Sequence, residues 1–245
     1  MRPTATLRGL TITVLLDNEP FSLGLAVDWG LSLLVEAEGG PAILMDTGSS
    51  AGKLLRNARE LGVDLGRLEA VFISHWHGDH YGGLSGLLRA LGREIQVFVP
   101  RPPGRSLRRE FEALGAELVP LEGPGEALPG FYSTGDMGGE HSLLADVGGL
   151  GTIIMAGCSH PGPARVVLRA REVLGKPVHA LVGGLHISSY HEGFELGRFL
   201  GREGVRAICP CHCTGSLAKR GLRDAFRGTV LQCGVGRRLE FKAQP

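Results

Sequence analysis

The sequence predicts an α/β (α+β) fold in which sheets are covered by helices on their outer faces. Two observations carry that expectation. In both halves of the chain, short apolar runs alternate with longer stretches of helical spacing, and glycine-rich turns separate them. Two pairs of apolar runs are also joined across Gly39-Gly40 and Gly148-Gly149 as hairpin-like units. A chain of 245 residues, 43% of them hydrophobic, has the material for a sizeable core.

Taken in order, Thr11–Leu16, Leu31–Val35 and Ala42–Met45 are expected as strands. Ser50–Leu61 is expected as a helix: Leu54, Leu55, Ala58 and Leu61 share a face, Ser49 or Ser50 can cap it, and Gly62 stops it. A buried strand at Ala70–Ile73 leads into a histidine-rich loop, followed by a helix around Leu84–Leu91 and a strand at Ile95–Val99. In the second half, Leu143–Val147 and Thr152–Ala156 are strands. Pro163 opens a helix whose face is Val166, Val167, Ala170 and Leu174, ended by Gly175. Val178–Val182 and Val205–Ile208 are further strands, with helices near Glu192–Arg202 and Ser216–Phe226. The stretches Pro100–Arg105 and Glu122–Gly130 are expected as loops, the second joining two similar halves.

Charge and cysteine content narrow the function classes. With 26 Lys+Arg against 25 Asp+Glu the chain has no global field to draw in nucleic acid or an acidic membrane. No apolar run reaches the length of a membrane span, and Met1-Arg2-Pro3-Thr4 does not open a signal peptide, so a soluble cytoplasmic protein is expected. The five cysteines, an odd number, argue against a disulfide framework.

The densest chemical signal is Ser74-His75-Trp76-His77-Gly78-Asp79-His80. Neutral imidazole and carboxylate are the usual ligands of zinc and similar divalent ions. In an extended loop, residues two apart point the same way, so His75 and His77 can grip one ion. After a turn at Gly78, Asp79 and His80 can face a second. A second pattern agrees: Ile73, Ala156, Val182 and Ile208 end strand-like runs and are followed within a few residues by His75, His160, His186 and His212. Ligands of layered α/β folds collect beyond the carboxyl ends of strands, so these four can meet on one rim. His141, His179 and His191 break the pattern.

His-x-His-x-Asp-His after a buried strand, preceded by a strand ending in Met45-Asp46-Thr47-Gly48, resembles the metallo-β-lactamase superfamily over nearly the whole chain. Several segments are similar to one branch, commonly labelled after the dihydropterin–ribofuranosylaminobenzene 5′-phosphate synthase of methanopterin biosynthesis. They are Asp17-Asn18, Gly30-Leu31-Ser32-Leu33-Leu34, Gly157-Cys158-Ser159-His160-Pro161-Gly162, Gly183-Gly184-Leu185-His186 and His212-Cys213-Thr214-Gly215. The resemblance implies a four-layer αββα sandwich, a single domain over 1–245 of two similar halves, about 1–122 and 131–245. It also implies a site for one or two ions, zinc foremost, with manganese or iron as alternatives. His75, His77 and His160 would hold the first; Asp79, His80 and His212 the second. Asp46 would orient the loop, because a ligating imidazole needs a partner for its other nitrogen.

The chain departs from the wider family at Gly157-Cys158, where most members carry a bridging Asp. Cys158 as thiolate, a bridging water, or a weakly bound second ion are the three alternatives. His186 is a ligand, a general acid for the leaving group or an oxyanion donor, with Tyr190 as an alternative acid; a backbone-bonded structural histidine is the plain reading. Cys209, Cys211 and Cys213 read best as small buried groups beside His212. Arg101–Arg109 and Trp76 are either substrate contacts or a solvated turn and a packed ring.

The expected activity is a metallo-hydrolase: zinc-bound water of pKa about 7 supplies hydroxide to a phosphate ester, phosphodiester or acyl (lactone, thioester) small molecule, with Asp79 and His186 as catalytic groups. A pterin–arylamine riboside synthase or transferase, and a non-catalytic metal-binding protein, are the alternatives. A diiron redox role is disfavoured, since flavin-linked relatives carry Glu where this chain has His77.

Overall fold

The computed structural model describes residues 5–243. The expectation about a leader rests on Met1 to Thr4, which lie outside the described residues. The first half runs β1 (Gly9–Leu16), β2 (Ser32–Ala37), β3 (Ala42–Met45), α1 (Ala51–Glu60), β4 (Ala70–Phe72), α2 (Gly78–Tyr81), α3 (Leu84–Leu91), β5 (Ile95–Val99), α4 (Arg105–Ala113) and β6 (Ala116–Pro120). The second runs β7 (Gly125–Leu128), β8 (Phe131–Ser133), β9 (Leu143–Val147), β10 (Gly151–Ala156), α5 (Pro163–Leu174), β11 (Val178–Gly184), α6 (Tyr190–Arg202), β12 (Ala207–Cys211), α7 (Ser216–Ala225), β13 (Thr229–Val230) and β14 (Arg238–Lys242).

These strands form two seven-stranded sheets, ordered β14-β1-β2-β3-β4-β5-β6 and β13-β12-β11-β10-β9-β8-β7. In each sheet four strands are parallel, β3 to β6 in one and β10 to β13 in the other, and the rest antiparallel. The αβα-type layering follows from three apolar clusters. Ile12, Leu33, Met45, Phe72, Phe131, Ile153, Met155 and Val182 fill the space between the sheets. Leu54, Leu84, Leu87, Leu88 and Phe111 seat α1, α3 and α4 on the outer face of the first sheet. Val166, Val167, Ala170, Leu196, Leu200 and Leu222 seat α5, α6 and α7 on the second. The architecture is therefore the αββα sandwich, with each strand's alternating side chains serving both an inner and an outer layer.

Local signals act as expected at several ends. Ser50 caps α1 by accepting the Lys53 N–H, Gly175 closes α5 in the left-handed conformation, and Ser189 with Glu192 makes a capping box on α6. Two expectations need correction. Glu122–Gly130 is not simply a loop: it contains β7, an edge strand whose residues are only half buried, so it lacks an apolar run. Cys211 and Cys233 are not free buried groups: their Cα atoms are 5.5 Å apart and the pair is a disulfide. The last strand, β14, pairs with β1 in the first sheet and so ties the C-terminal end of the chain to its beginning. Among the described residues, no helix is long and apolar enough to cross a membrane.

Candidate metal centre

The parallel strands point their carboxyl ends to one rim, and four of them deliver a histidine there: β4 leads to His75, β10 to His160, β11 to His186 and β12 to His212. Just past four strand ends the chain turns sharply. Asp46, Ser159, His186 and His212 all adopt left-handed backbone, with φ of 59°, 60°, 48° and 49°. Non-glycine residues hold that conformation at a cost, and such strain gathers at functional sites.

Four of the imidazoles are each held through Nδ1. His80 Nδ1 donates to Asp46 Oδ2 at 2.7 Å. The Ser74 hydroxyl donates to the same oxygen at 2.7 Å, which leaves its lone pairs for His75 Nδ1 at 2.9 Å. Asp46 thus fixes His80 directly and His75 through Ser74. Burial is the largest influence on both rings, yet they diverge: it pushes His75 down to about 2, whereas in His80 the buried Asp46 carboxylate overcomes it and raises the ring.

The other two are held by residues that sequence reasoning missed. Glu140, itself buried, accepts His160 Nδ1 at 2.7 Å and the backbone N–H groups of Cys158, Ser159 and His160 at 2.7–2.8 Å. Burial works to raise its carboxyl, but the bond from His160 and these amides pull it down to about 2. His212 Nδ1 faces Asn18 Oδ1 at 3.1 Å, while Asn18 Nδ2 donates to His212 O at 3.0 Å. That arrangement fixes the amide, so His212 Nδ1 is the donor and its Nε2 carries the lone pair. The available signals were Glu140 in Gly138-Gly139-Glu140-His141 and the Asp17-Asn18 pair.

The free nitrogens converge. His75 Nε2 lies 3.0 Å from His77 Nδ1, and the His160 ring stands 4.8 and 4.9 Å from theirs. On the other side His80 Nε2 is 3.9 Å and His212 Nε2 3.2 Å from Asp79 Oδ2. Cys158 is common to the two groups: its Sγ is 3.2 Å from His80 Nε2, and within 4.8 Å of ligand atoms of His75 and His160 and of His80 and His212. The structure therefore gathers His75, His77, Asp79, His80, His160, His212 and Cys158, with Asp46 behind them.

A divalent cation fits this donor set, and one atom makes the case. His212 Nε2 is buried without a hydrogen-bond partner although it faces a carboxylate oxygen. Burial holds that ring down to about 4, and with Nδ1 turned to Asn18 the neutral ring points its Nε2 lone pair at the carboxylate oxygen. Two electron-rich atoms at that separation are stable when a cation lies beside them.

The other expected residues stand at the edge of this set or outside it. His186 is exposed at the rim, its ring 4.6 Å from that of His160. Trp76 packs instead of facing the site: its Nε1 donates to Arg101 O and its ring stacks on Phe111. The Tyr190 hydroxyl is engaged by Asp224 at 3.0 Å. Trp29, unremarked in the sequence, is 62% exposed with its ring 5.2 Å from that of His212.

His141 is structural. Its Nε2 donates to Ile73 O, its Nδ1 faces Ser133 Oγ, and it stacks on Phe72. Burial holds it down to about 3, so the folded ring stays neutral while the unfolded one charges below pH about 6.5. The unfolded state then binds the extra proton, and stability falls as pH drops from about 6.5 toward 3. His141→Gln removes that linkage. The stability gap between metal-free wild type and variant should narrow by about 1.4 kcal/mol per pH unit in this window. Urea unfolding at pH 7, 5.5 and 4 measures it; parallel profiles would contradict the assignment.

The model of the metallo-beta-lactamase superfamily matches residues 29–173. The 7,8-dihydropterin-6-methyl-4-(beta-D-ribofuranosyl)-aminobenzene-5′-phosphate synthase of Methanocaldococcus jannaschii is 26% identical, over 86% of this chain and 90% of its own length. A solved metal-dependent hydrolase of the beta-lactamase superfamily superposes with a TM-score of 0.79 at 27% identity, covering 95% of this chain and 99% of that one. The short form of human tRNase Z, at 16% identity and a TM-score of 0.62 over 94% of this chain and 98% of that one, shares the fold.

Proposed function

Because the chain belongs to the metallo-beta-lactamase superfamily, whose scaffold is that of metal-dependent hydrolases, we propose that it hydrolyses a phosphate ester or phosphodiester carrying a planar aromatic group. The observation that carries the hydrolytic reading is the His212–Asp79 contact, which calls for a cation beside solvent-reachable Asp79. His75, His77 and His160 would hold one ion, and Asp79, His80 and His212 a second, with Cys158 between them. Zinc suits the imidazole-rich set, with manganese or iron as substitutes. Such an ion supplies Lewis acidity and lowers the pKa of water toward neutrality.

The chain's own groups do the rest. Asp79 keeps part of its side chain open to solvent and can take a proton at Oδ2. His186, exposed beside His160, is placed to give a proton to the leaving group. Asp46 and Glu140 keep the ligating rings from rotating. Trp29 offers a ring face to the planar part of the substrate. The phosphate preference rests on the relative matched over most of its length, whose name includes a ribofuranosyl-aminobenzene 5′-phosphate.

That relative also favours a second reading, a synthase joining a pterin to a ribofuranosylaminobenzene phosphate. One experiment separates the two. Protein loaded with zinc, manganese or iron is offered phosphomonoesters, phosphodiesters, a lactone, a thioester, and the pterin–arylamine pair. The hydrolase reading expects ion-dependent release of product from the phosphate substrates. Turnover of the lactone or thioester alone, or a pterin adduct alone, would overturn it. Trp29→Ala should raise KM about 10-fold for an aryl substrate and leave a small aliphatic one unaffected; equal effects on both would remove Trp29 from recognition.

A further inference from the structure

Beside the two histidine sets lies a third set of donors, which shares Cys158 with them and adds His186 and Cys213. Ligand atoms of Cys158, His186 and Cys213 are all within 4.8 Å of one another. They come from three adjacent strand ends, those of β10, β11 and β12. Cys213 Sγ accepts the His186 backbone N–H at 3.3 Å and lies 3.8 Å from Cys158 O, so the loops carrying them are locked together.

The local backbone is shaped for this approach. A Cβ at Gly184 would stand 2.7 Å from Cys213 Sγ and 2.3 Å from Gly157 O, so any larger residue would push the sulfur away. His186 keeps φ at 48°, a conformation unfavourable for a histidine, and one of its ring nitrogens lies within 4.8 Å of Cys213 Sγ. Exposure is graded: Cys158 is buried, Cys213 half-buried and His186 exposed, which leaves an entry path from solvent.

We propose that Cys158, His186 and Cys213 bind a thiophilic metal ion at the edge of the centre, distinct from the ions held by the two histidine sets. Two sulfurs and one imidazole nitrogen select soft or borderline ions such as cadmium, zinc or copper(I) over magnesium and calcium. Three protein donors leave a coordination position open toward solvent. Cys158 is shared with both histidine sets, so an ion here competes for that sulfur and couples the edge site to the centre. This inference concerns binding and does not depend on which bond the enzyme breaks.

Cadmium titration of the full chain with its Cys211–Cys233 disulfide intact tests it, read by thiolate-to-metal charge-transfer absorption and by bound equivalents. Wild type is expected to take up one equivalent more than Cys213→Ser and to lose about half of its charge-transfer band in that variant. His186→Asn, at an exposed position where Asn tolerates left-handed backbone, should keep both sulfurs and weaken that equivalent at least 10-fold. If Cys213→Ser and His186→Asn titrate like wild type, the site does not exist. A Cys158–Cys213 disulfide found by peptide mapping of the protein under non-reducing conditions would equally overturn it.

Discussion

Asp79→Asn is expected to cut kcat/KM by about 10²–10⁴-fold at saturating metal while leaving the fold intact. The carboxylate lies 3.2 Å from His212 Nε2 and 3.9 Å from His80 Nε2, so it is both a counter-charge for a cation and the acid nearest to solvent. Asparagine keeps the shape and removes the charge and the proton site together. Steady-state kinetics on the loaded variant, with unfolding by urea as a control, measures the effect. Activity within a few-fold of wild type would show that Asp79 neither steadies the cation nor moves a proton.

The second large effect is expected at Glu140. Its two oxygens collect four hydrogen bonds, three of them from consecutive backbone amides at Cys158, Ser159 and His160. Glu140→Ala strands those donors in a buried loop, at about 1–3 kcal/mol each, and a loss of about 3–5 kcal/mol is expected because water reaches the His160 side. It also frees the His160 ring to rotate, which should weaken metal binding about 10–100-fold. Glu140→Gln, able to accept part of this set, should recover most of the stability and less of the affinity. Chelator competition and denaturant unfolding read the two effects apart. Unchanged affinity in Glu140→Ala would mean that His160 is not a ligand.

The sequence made the residues gathered at this centre legible, His160 and His212 by their places just past strand ends. His75, His77, Asp79 and His80 lie so close together that an extended loop and one turn suffice to place them, and Asp46 closes the neighbouring strand. Cys158, read as a possible replacement for a bridging acid, lies between the two histidine groups. Glu140 and Asn18 were not legible as partners. Each is a single polar residue that acquires its role through contacts 20 and 194 positions away, and no local periodicity reports such contacts.

The same physics divides the fold. The inner strands and outer helices show as apolar runs and helical faces, since both sides of those strands are buried. Edge strands were missed because they bury little. β7 has no buried residue and is flanked by Gly and Pro. β14 nevertheless carried a readable signal: Arg238, Leu239, Glu240, Phe241 and Lys242 alternate strictly between exposed and buried. The Cys211–Cys233 disulfide depends on a loop that brings position 233 beside β12, and the odd cysteine count concealed it.

The most direct test of the account is metal content. Wild-type protein and His77→Ala, purified without chelator, are compared by elemental analysis; His77 is exposed, so its removal leaves the core untouched. The account predicts about one to two equivalents of a divalent ion per chain in the wild type, lost or sharply reduced in the variant. A wild-type chain that retains no ion, even after incubation with zinc, manganese and iron, would contradict it.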